Sequence, residues 1–176
     1  MEVLYSNKKI VTINNSILTV GSYDGIHLGH QKILATLVKK SKIFNLTSVL
    51  VTFDPHPRNV LSKHPKNISL IMNLNQRLKI IEELGVDFVY IIKFTKKFSN
   101  ITATEFMSEN IIPNFHPKII LTGVNHFFGK NRQGSLGFLK KYCQHHNIYL
   151  KVINPVLNGK SAVSYTHLTL PTKAKV

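Results

Sequence analysis

The chain is poor in cysteine, with one in 176 residues. An internal disulfide is therefore excluded, and a reducing cytoplasm is the expected location. Cys143 falls in the helical pattern Phe138-Leu139-Lys140-Lys141-Tyr142-Cys143, where it reads as a small core residue rather than a nucleophile. No apolar run is long enough to cross a bilayer, and an N-terminus carrying Glu2, Lys8 and Lys9 does not read as a signal peptide. Internal repeats and low-complexity linkers are missing too. The length suits one domain, which at this size buries roughly 68–70% of its unfolded surface. Acidic residues are scarce: 8 Asp and Glu stand against 23 Lys and Arg, a net charge of +15. That sign favours anionic partners. The lysines are scattered, as Lys8, Lys39, Lys63, Lys96, Lys118, Lys140 and Lys151 show. No Arg-rich helix and no stacking platform of aromatics accompanies them, so steering of phosphorylated substrates is favoured over a nucleic-acid surface. A basic, non-catalytic nucleic-acid module stays open as the alternative.

What is present is alternation. Ile17–Val20, Thr47–Phe53, Phe88–Ile92, Lys118–Thr122 and Tyr149–Ile153 read as strands. Helical patterns fill the gaps: Gln31–Phe44, Gln76–Leu84 closed by Gly85, a short helix opened by the capping box Thr102-Ala103-Thr104-Glu105 and ending near Pro113, and Ser135–Asn147. Strands separated by helices predict right-handed βαβ units, hence an α/β, Rossmann-like, doubly wound parallel sheet.

In such a sheet the loops at the carboxyl ends of the strands gather on one side and carry the ligand. The first is Gly21-Ser22-Tyr23-Asp24-Gly25-Ile26-His27-Leu28-Gly29-His30. Its histidines, His27 and His30, stand where a strand turns into a helix. Free helix N–H groups and the dipole attract phosphate there. Glycines remove side chains that would block a close backbone approach. Imidazoles donate to anionic oxygens and gain charge readily as negative charge develops. The arrangement suits a nucleoside triphosphate. A zinc site is disfavoured, because no second Cys/His cluster has metal-ligand spacing. The other loops are Asp54-Pro55-His56-Pro57-Arg58 and the Gly-, Asn- and base-rich stretch 123–134. No nucleophile–base pair is evident.

Taken in order, Gly21–His30, Thr52–Pro57, Leu84–Asp87, Phe94–Phe98 and Gly123–Gly134 resemble the bacterial FAD synthetases. These are the adenylyltransferase modules of bifunctional riboflavin kinase/FMN adenylyltransferases, of the His-x-Gly-His nucleotidyltransferase type. The likeness runs from about Leu18 to about Pro155 and implies transfer of AMP from ATP to FMN with Mg²⁺. It implies that His27, His30 and Asn125 are catalytic. Gly21, Tyr23, Asp24, Gly25, Gly29, Phe128 and Gly129 would bind ATP. His56 and Pro57 would lie near the flavin. His126 departs from the aromatic residue the family places there. Another nucleotidyltransferase, acting on a pantetheine, nicotinamide or glycerol phosphate, is the nearer alternative.

The resemblance places the adenylyltransferase domain in residues 1–160 and sets 161–176 apart as an aberrant tail. The family has a Ser-Ser-Ser/Thr-x-Ile-Arg motif after the position of Gly159-Lys160. This chain begins it with Val163-Ser164 and continues with Tyr165-Thr166-His167-Leu168. A truncated sequence is the expectation, without the riboflavin kinase β-barrel that follows in the family. Arginine offers a permanently charged, bidentate clamp for phosphate oxygens that His167 does not match at neutral pH. Restoring Ser-Ser-Thr-x-Ile-Arg after Val163 is therefore expected to raise FAD formation. The check is FAD production by both chains at equal protein and saturating Mg-ATP; equal rates would show the tail to be competent as it stands.

Overall fold

The computed structural model describes residues 1–8, 12–62, 70–155, 157–158 and 161–162. Seventeen-residue helix α1 (Leu28–Phe44) follows strand β2 (Ser16–Val20) and leads into β3 (Thr47–Asp54). Helices α2 (Pro57–Leu61) and α3 (Leu74–Glu83) precede β4 (Phe88–Lys93). Strand β5 (Pro117–Gly123), helix α6 (Leu136–His145) and strand β6 (Tyr149–Ile153) complete the alternation. The N-terminus adds β1 (Glu2–Tyr5), which the periodicity did not show. Its partner is β4, and its exposure does not alternate along the strand.

All pairings in the six-stranded sheet are parallel, in the order β1-β4-β3-β2-β5-β6. The doubly wound reading holds. Successive strand residues point to opposite faces, so one sheet feeds two cores. Ile17, Leu50, Val89, Ile91 and Leu121 pack with Leu34, Leu37 and Val38 of α1 and Ile81 of α3. Leu18, Val49, Val51, Tyr90 and Ile120 pack the other way, on Phe106, Phe115, Leu139 and Cys143. Cys143 is buried and its thiol is pushed up to about 11 by burial, which agrees with a structural role.

Local chemistry sets the helix ends. Asn73 and Gln76 form a reciprocal capping box at α3, and Gly85 adopts φ +82 after it. Thr102 and Glu105 form the expected box at α4 (Ala103–Glu105). The helical segment ends at Phe115, close to Pro113 as expected, but it is not a plain α-helix. It widens into a π-helical stretch, Phe106–Ile111, and continues as α5 (Ile112–Phe115). Pro113 falls in the first turn of that last segment, where a missing N–H costs little. A short antiparallel pair, β7 (Leu157–Asn158) and β8 (Ser161–Ala162), crosses the boundary expected at residue 160. From residue 163 onward the aberrant tail falls outside the described residues.

Leu37 is fully buried between α1 and the sheet. Leu37→Ala is expected to cost about 2–5 kcal/mol of stability, read as a lower urea midpoint at an unchanged slope.

Candidate active site

Strand β2 is the pivot of the sheet, with β3 on one side and β5 on the other. The chain winds from β2 to β3 and β4, then crosses back to β5. The carboxyl ends of β2 and β5 therefore flank a topological switch point, where α/β sheets open a crevice. A cavity of about 350 Å³ lies there, lined by Thr19, Tyr23, His27, Gly29, His30 and Asn125, together with residues of the turns after β5 and β6. His27 and Asn125, about a hundred positions apart in sequence, thus share one cavity.

The loop 21–30 is held in an unusual backbone. Tyr23, Gly25 and Ile26 have φ of 49, 75 and 32. A β-branched residue such as Ile26 rarely occupies that region, so surrounding contacts must enforce it. Tyr23 is buried and its hydroxyl lies 2.7 Å from Thr19 Oγ1; burial pushes its pKa up. Gly21 leaves room for that ring, since a Cβ there would stand 2.8 Å from Tyr23 Cε2. Asp24 does not face the cavity. It is buried and accepts from the amides of Ile71 at 3.2 Å and Met72 at 3.4 Å. A Cβ on Gly25 would meet Ile71 at 2.8 Å. Asp24 and Gly25 thus shape the loop by holding it to the segment before α3.

The two histidines are stacked, with ring centroids 3.8 Å apart. His27 caps α1: its Nδ1 accepts from the His30 amide at 3.4 Å. Neutral His27 therefore carries its proton on Nε2. His30 Nδ1 is buried without a hydrogen-bond partner. Burial lowers the pKa of both rings, and the neighbouring His27 lowers His30 further, to about 3. Two neutral imidazoles and an orphaned ring nitrogen thus stand at a helix N-terminus, a place whose free amides and dipole favour an anion. His126 is the third imidazole of the cavity. It stacks on Phe128, its Nε2 has no partner, and burial lowers its pKa to about 4.

A second cavity, of about 490 Å³, is lined by Ser22 and by Phe127–Arg132, whose loop contributes Gly123–His126 to the first. Its walls are aromatic: Phe53, Phe94, Phe98, Phe106, Phe127 and Phe128. Pro57 lines it, and so do Phe128 and Gly129. The last two therefore line the aromatic cavity rather than the one that holds His27 and His30. Gly129 adopts φ +70, and a Cβ there would stand 2.7 Å from the Ala103 amide nitrogen. Only glycine lets the loop approach α4 this closely. His56 lines neither cavity. It is buried, caps α2 by accepting from the Arg58 amide at 3.1 Å, and has its pKa lowered first by burial.

Among the described residues no group of three or more His, Cys, Asp or Glu is gathered to hold a metal ion, and no helix is long and apolar enough to cross a membrane.

Fold and site together define a Rossmann-like α/β protein of the nucleotidyltransferase type. Residues 9–167 match the FAD synthetase family, and the chain belongs to it. It is 33% identical over 168 residues to the bifunctional riboflavin kinase/FMN adenylyltransferase of Buchnera aphidicola from Schizaphis graminum, covering 94% of this chain and 52% of that protein. With the protein of the same description from Listeria monocytogenes it shares 30% identity over 147 residues, 81% of this chain and 46% of that one. The chain thus spans about half the length of the curated relatives it matches. A solved structure described as a macrolide-efflux protein of Streptococcus pneumoniae matches with TM-score 0.81 and 28% identity, over 94% of this chain and 54% of that one. Pantothenate synthetase of Thermus thermophilus, at TM-score 0.58 and 10% identity over 90% of this chain and 63% of its own, shares the fold.

Sequence reasoning missed Thr19 as the anchor of Tyr23, and Arg77, a buried charge beneath the loop. The signal for Arg77 was a cation on the apolar stripe formed by Leu74, Leu78 and Ile81.

The histidines give the site a pH dependence. Their folded pKa values lie below the unfolded value near 6.5, so protonation favours the unfolded chain. The stability they contribute is complete above pH 6.5 and declines as pH falls from there towards about 4, the value for His126, and about 3, that for His30. Lowering the pH from 7.5 to 5 is expected to reduce Tm by roughly 5 °C. The check is a set of melting curves, in which His126→Phe should flatten the pH dependence.

Proposed function

We propose that this chain is an FMN adenylyltransferase, transferring AMP from ATP to FMN to give FAD and pyrophosphate. The observation that carries the reading is the pair of cavities at the carboxyl edge of the sheet. One is a histidine-lined cavity at a helix N-terminus, suited to a triphosphate. The other is an aromatic one, suited to an isoalloxazine ring. Family membership supports the same assignment.

The reaction is an in-line displacement. An oxygen of the FMN phosphate attacks the α-phosphorus of ATP. The new P–O bond forms as the bond from that phosphorus to the α–β bridging oxygen breaks, and the electron pair leaves on pyrophosphate. No protein nucleophile is required. The work of the chain is positioning and charge stabilisation. His27 offers Nε2–H to the phosphates, and a proton on His30 Nδ1 would find its acceptor there. Burial keeps both rings neutral while no anion is bound. The polyphosphate reverses that preference, so each ring is ready to take charge as the leaving group develops its own. Asn125 reaches the same cavity from the β5 side. Mg²⁺ belongs to the substrate, bound mainly through the phosphates of ATP, and neutralises their charge.

In this reading residues 1–160 form the adenylyltransferase domain, Pro57, Phe128 and Gly129 serve the flavin side, and His56 braces its loop. Its setting is the cytoplasm, and FMN comes from a riboflavin kinase activity of the kind the relatives' names include.

His27→Ala and His30→Ala, each in a chain carrying a full C-terminal motif, are expected to slow FAD formation about 10²-fold or more while leaving the fold intact. Formation of FAD and pyrophosphate from ATP and FMN, followed together, is the measurement. Unchanged turnover in both variants would remove the histidines from the mechanism. Failure of the parent chain to form FAD, with steeply salt-dependent binding of RNA or DNA instead, would overturn the enzyme assignment.

A further inference from the structure

Arg77 is among the most buried side chains of the protein, 2% exposed, yet it carries a permanent charge. It reaches out of α3 to two loops at the carboxyl edge of the sheet. Its Nη1 donates to the Ser22 carbonyl at 2.8 Å. Its Nη2 lies 3.6 Å from Asp54 Oδ1. Ser22 immediately precedes the strained turn Tyr23-Asp24-Gly25, and its carbonyl also accepts from Thr52 Oγ1 at 3.3 Å. Asp54 ends β3 and begins the Asp54–Pro57 loop, and its own carbonyl accepts from Phe94, a residue of the aromatic cavity. One planar guanidinium thus joins the loop of the histidine cavity to the loops of the aromatic one.

Stability alone is a poor reason for this arrangement. Withdrawing a guanidinium from water costs several kcal/mol, and apolar replacements of buried ion pairs are often as stable or more so. Its ion-pair partner Asp54 is 44% exposed, so that pair is partly screened by solvent. What the guanidinium supplies and an aliphatic side chain does not is a rigid, charged head that hydrogen-bonds the Ser22 carbonyl through one nitrogen while another pairs at longer range with Asp54. The segment that carries it reinforces the same purpose, since the Ile71 and Met72 amides bind Asp24 and the Ile71 side chain fills the space beside Gly25.

We infer that Arg77 is a positioning residue for adenylyl transfer, setting the loop that holds the ATP phosphates in line with the loops that hold the acceptor. The inference rests on the adenylyltransferase reading above. In-line displacement is sensitive to such alignment, and a misplacement of about 1 Å can cost about 10²-fold in rate.

The test uses the full chain with Arg77→Met, Arg77→Lys and Asp54→Asn, assayed for FAD formation over ranges of ATP and FMN. Melting curves and amide hydrogen exchange of residues 22–26 are recorded alongside. Arg77→Met is expected to lower kcat about 10²-fold, with each KM changing less than about threefold. Exchange in residues 22–26 should accelerate while the sheet stays protected. Arg77→Lys should recover only part of the rate, since an ammonium lacks the fork. Asp54→Asn, at a half-exposed carboxylate, should lower kcat without loss of fold. Should Arg77→Met fail to fold, the Lys and Asn variants decide. Unchanged kcat in folded variants, or a loss matching the loss of folded protein, overturns the inference. If the parent chain forms no FAD, the adenylyltransferase reading fails separately, and exchange in residues 22–26 decides whether Arg77 holds the loop at all.

Discussion

Burial of strand β2 on every side is the constraint from which the site follows. Ile17 and Leu18 are wholly inaccessible, one in each core, and the strand is hydrogen-bonded to parallel partners at both edges. A strand so enclosed has only its carboxyl end open. Because successive βαβ units diverge from it in opposite directions, that end is left uncovered by any crossover helix. The loop 21–30 leaves the sheet there and turns into α1, whose first amides and dipole face the opening. An apolar strand thus delivers two imidazoles to a place that favours negative charge.

The loop itself is kept in a conformation it would not choose alone. Three consecutive-region residues with positive φ, two of them not glycine, make the turn costly. Separate contacts hold it: Thr19 on the Tyr23 hydroxyl, the Ile71 and Met72 amides on Asp24, and Arg77 on the Ser22 carbonyl. Such over-determination lets a site present its donors already aimed, so that little reorganisation is needed as the reaction proceeds. Neutral histidines extend the same economy to charge. Burial holds both rings on the uncharged side, and in the proposed reaction a bound polyphosphate would favour their cationic form. The aromatic cavity works by a different force, apolar contact, and a single loop, 123–134, contributes to both environments.

The elements that were plain in the sequence are those whose period is set by burial. Thr47–Phe53, rich in β-branched residues, and the apolar run Phe88–Ile92 are covered on both faces, and both are strands within a residue of expectation. The capping box at Thr102 and the turn at Gly85 are local hydrogen-bond and backbone preferences, and they sit where their chemistry requires. The edge strand β1 escaped notice because only pairing with β4 makes it a strand. The π-helical stretch Phe106–Ile111 escaped because it shifts the phase that a 3.6-residue period assumes.

The site divides along the same line. His27, His30 and Gly29 were recognisable because a strand-to-helix junction is itself a local feature, and Asn125 because it follows the next buried strand. Asp24, Phe128, Gly129 and His56 were recognisable as loop residues, but not by the direction they face. The sequence by itself determined the parallel α/β sheet and which loops reach its carboxyl edge, because hydrophobic period and helix caps act between residues close along the chain. Only the tertiary structure decided that Asp24 turns to Ile71, that Phe128 and Gly129 join Phe94 and Phe98, and that Arg77 lies beneath Ser22. Those contacts join segments tens of residues apart, and they exist because packing around β2 brings the segments together.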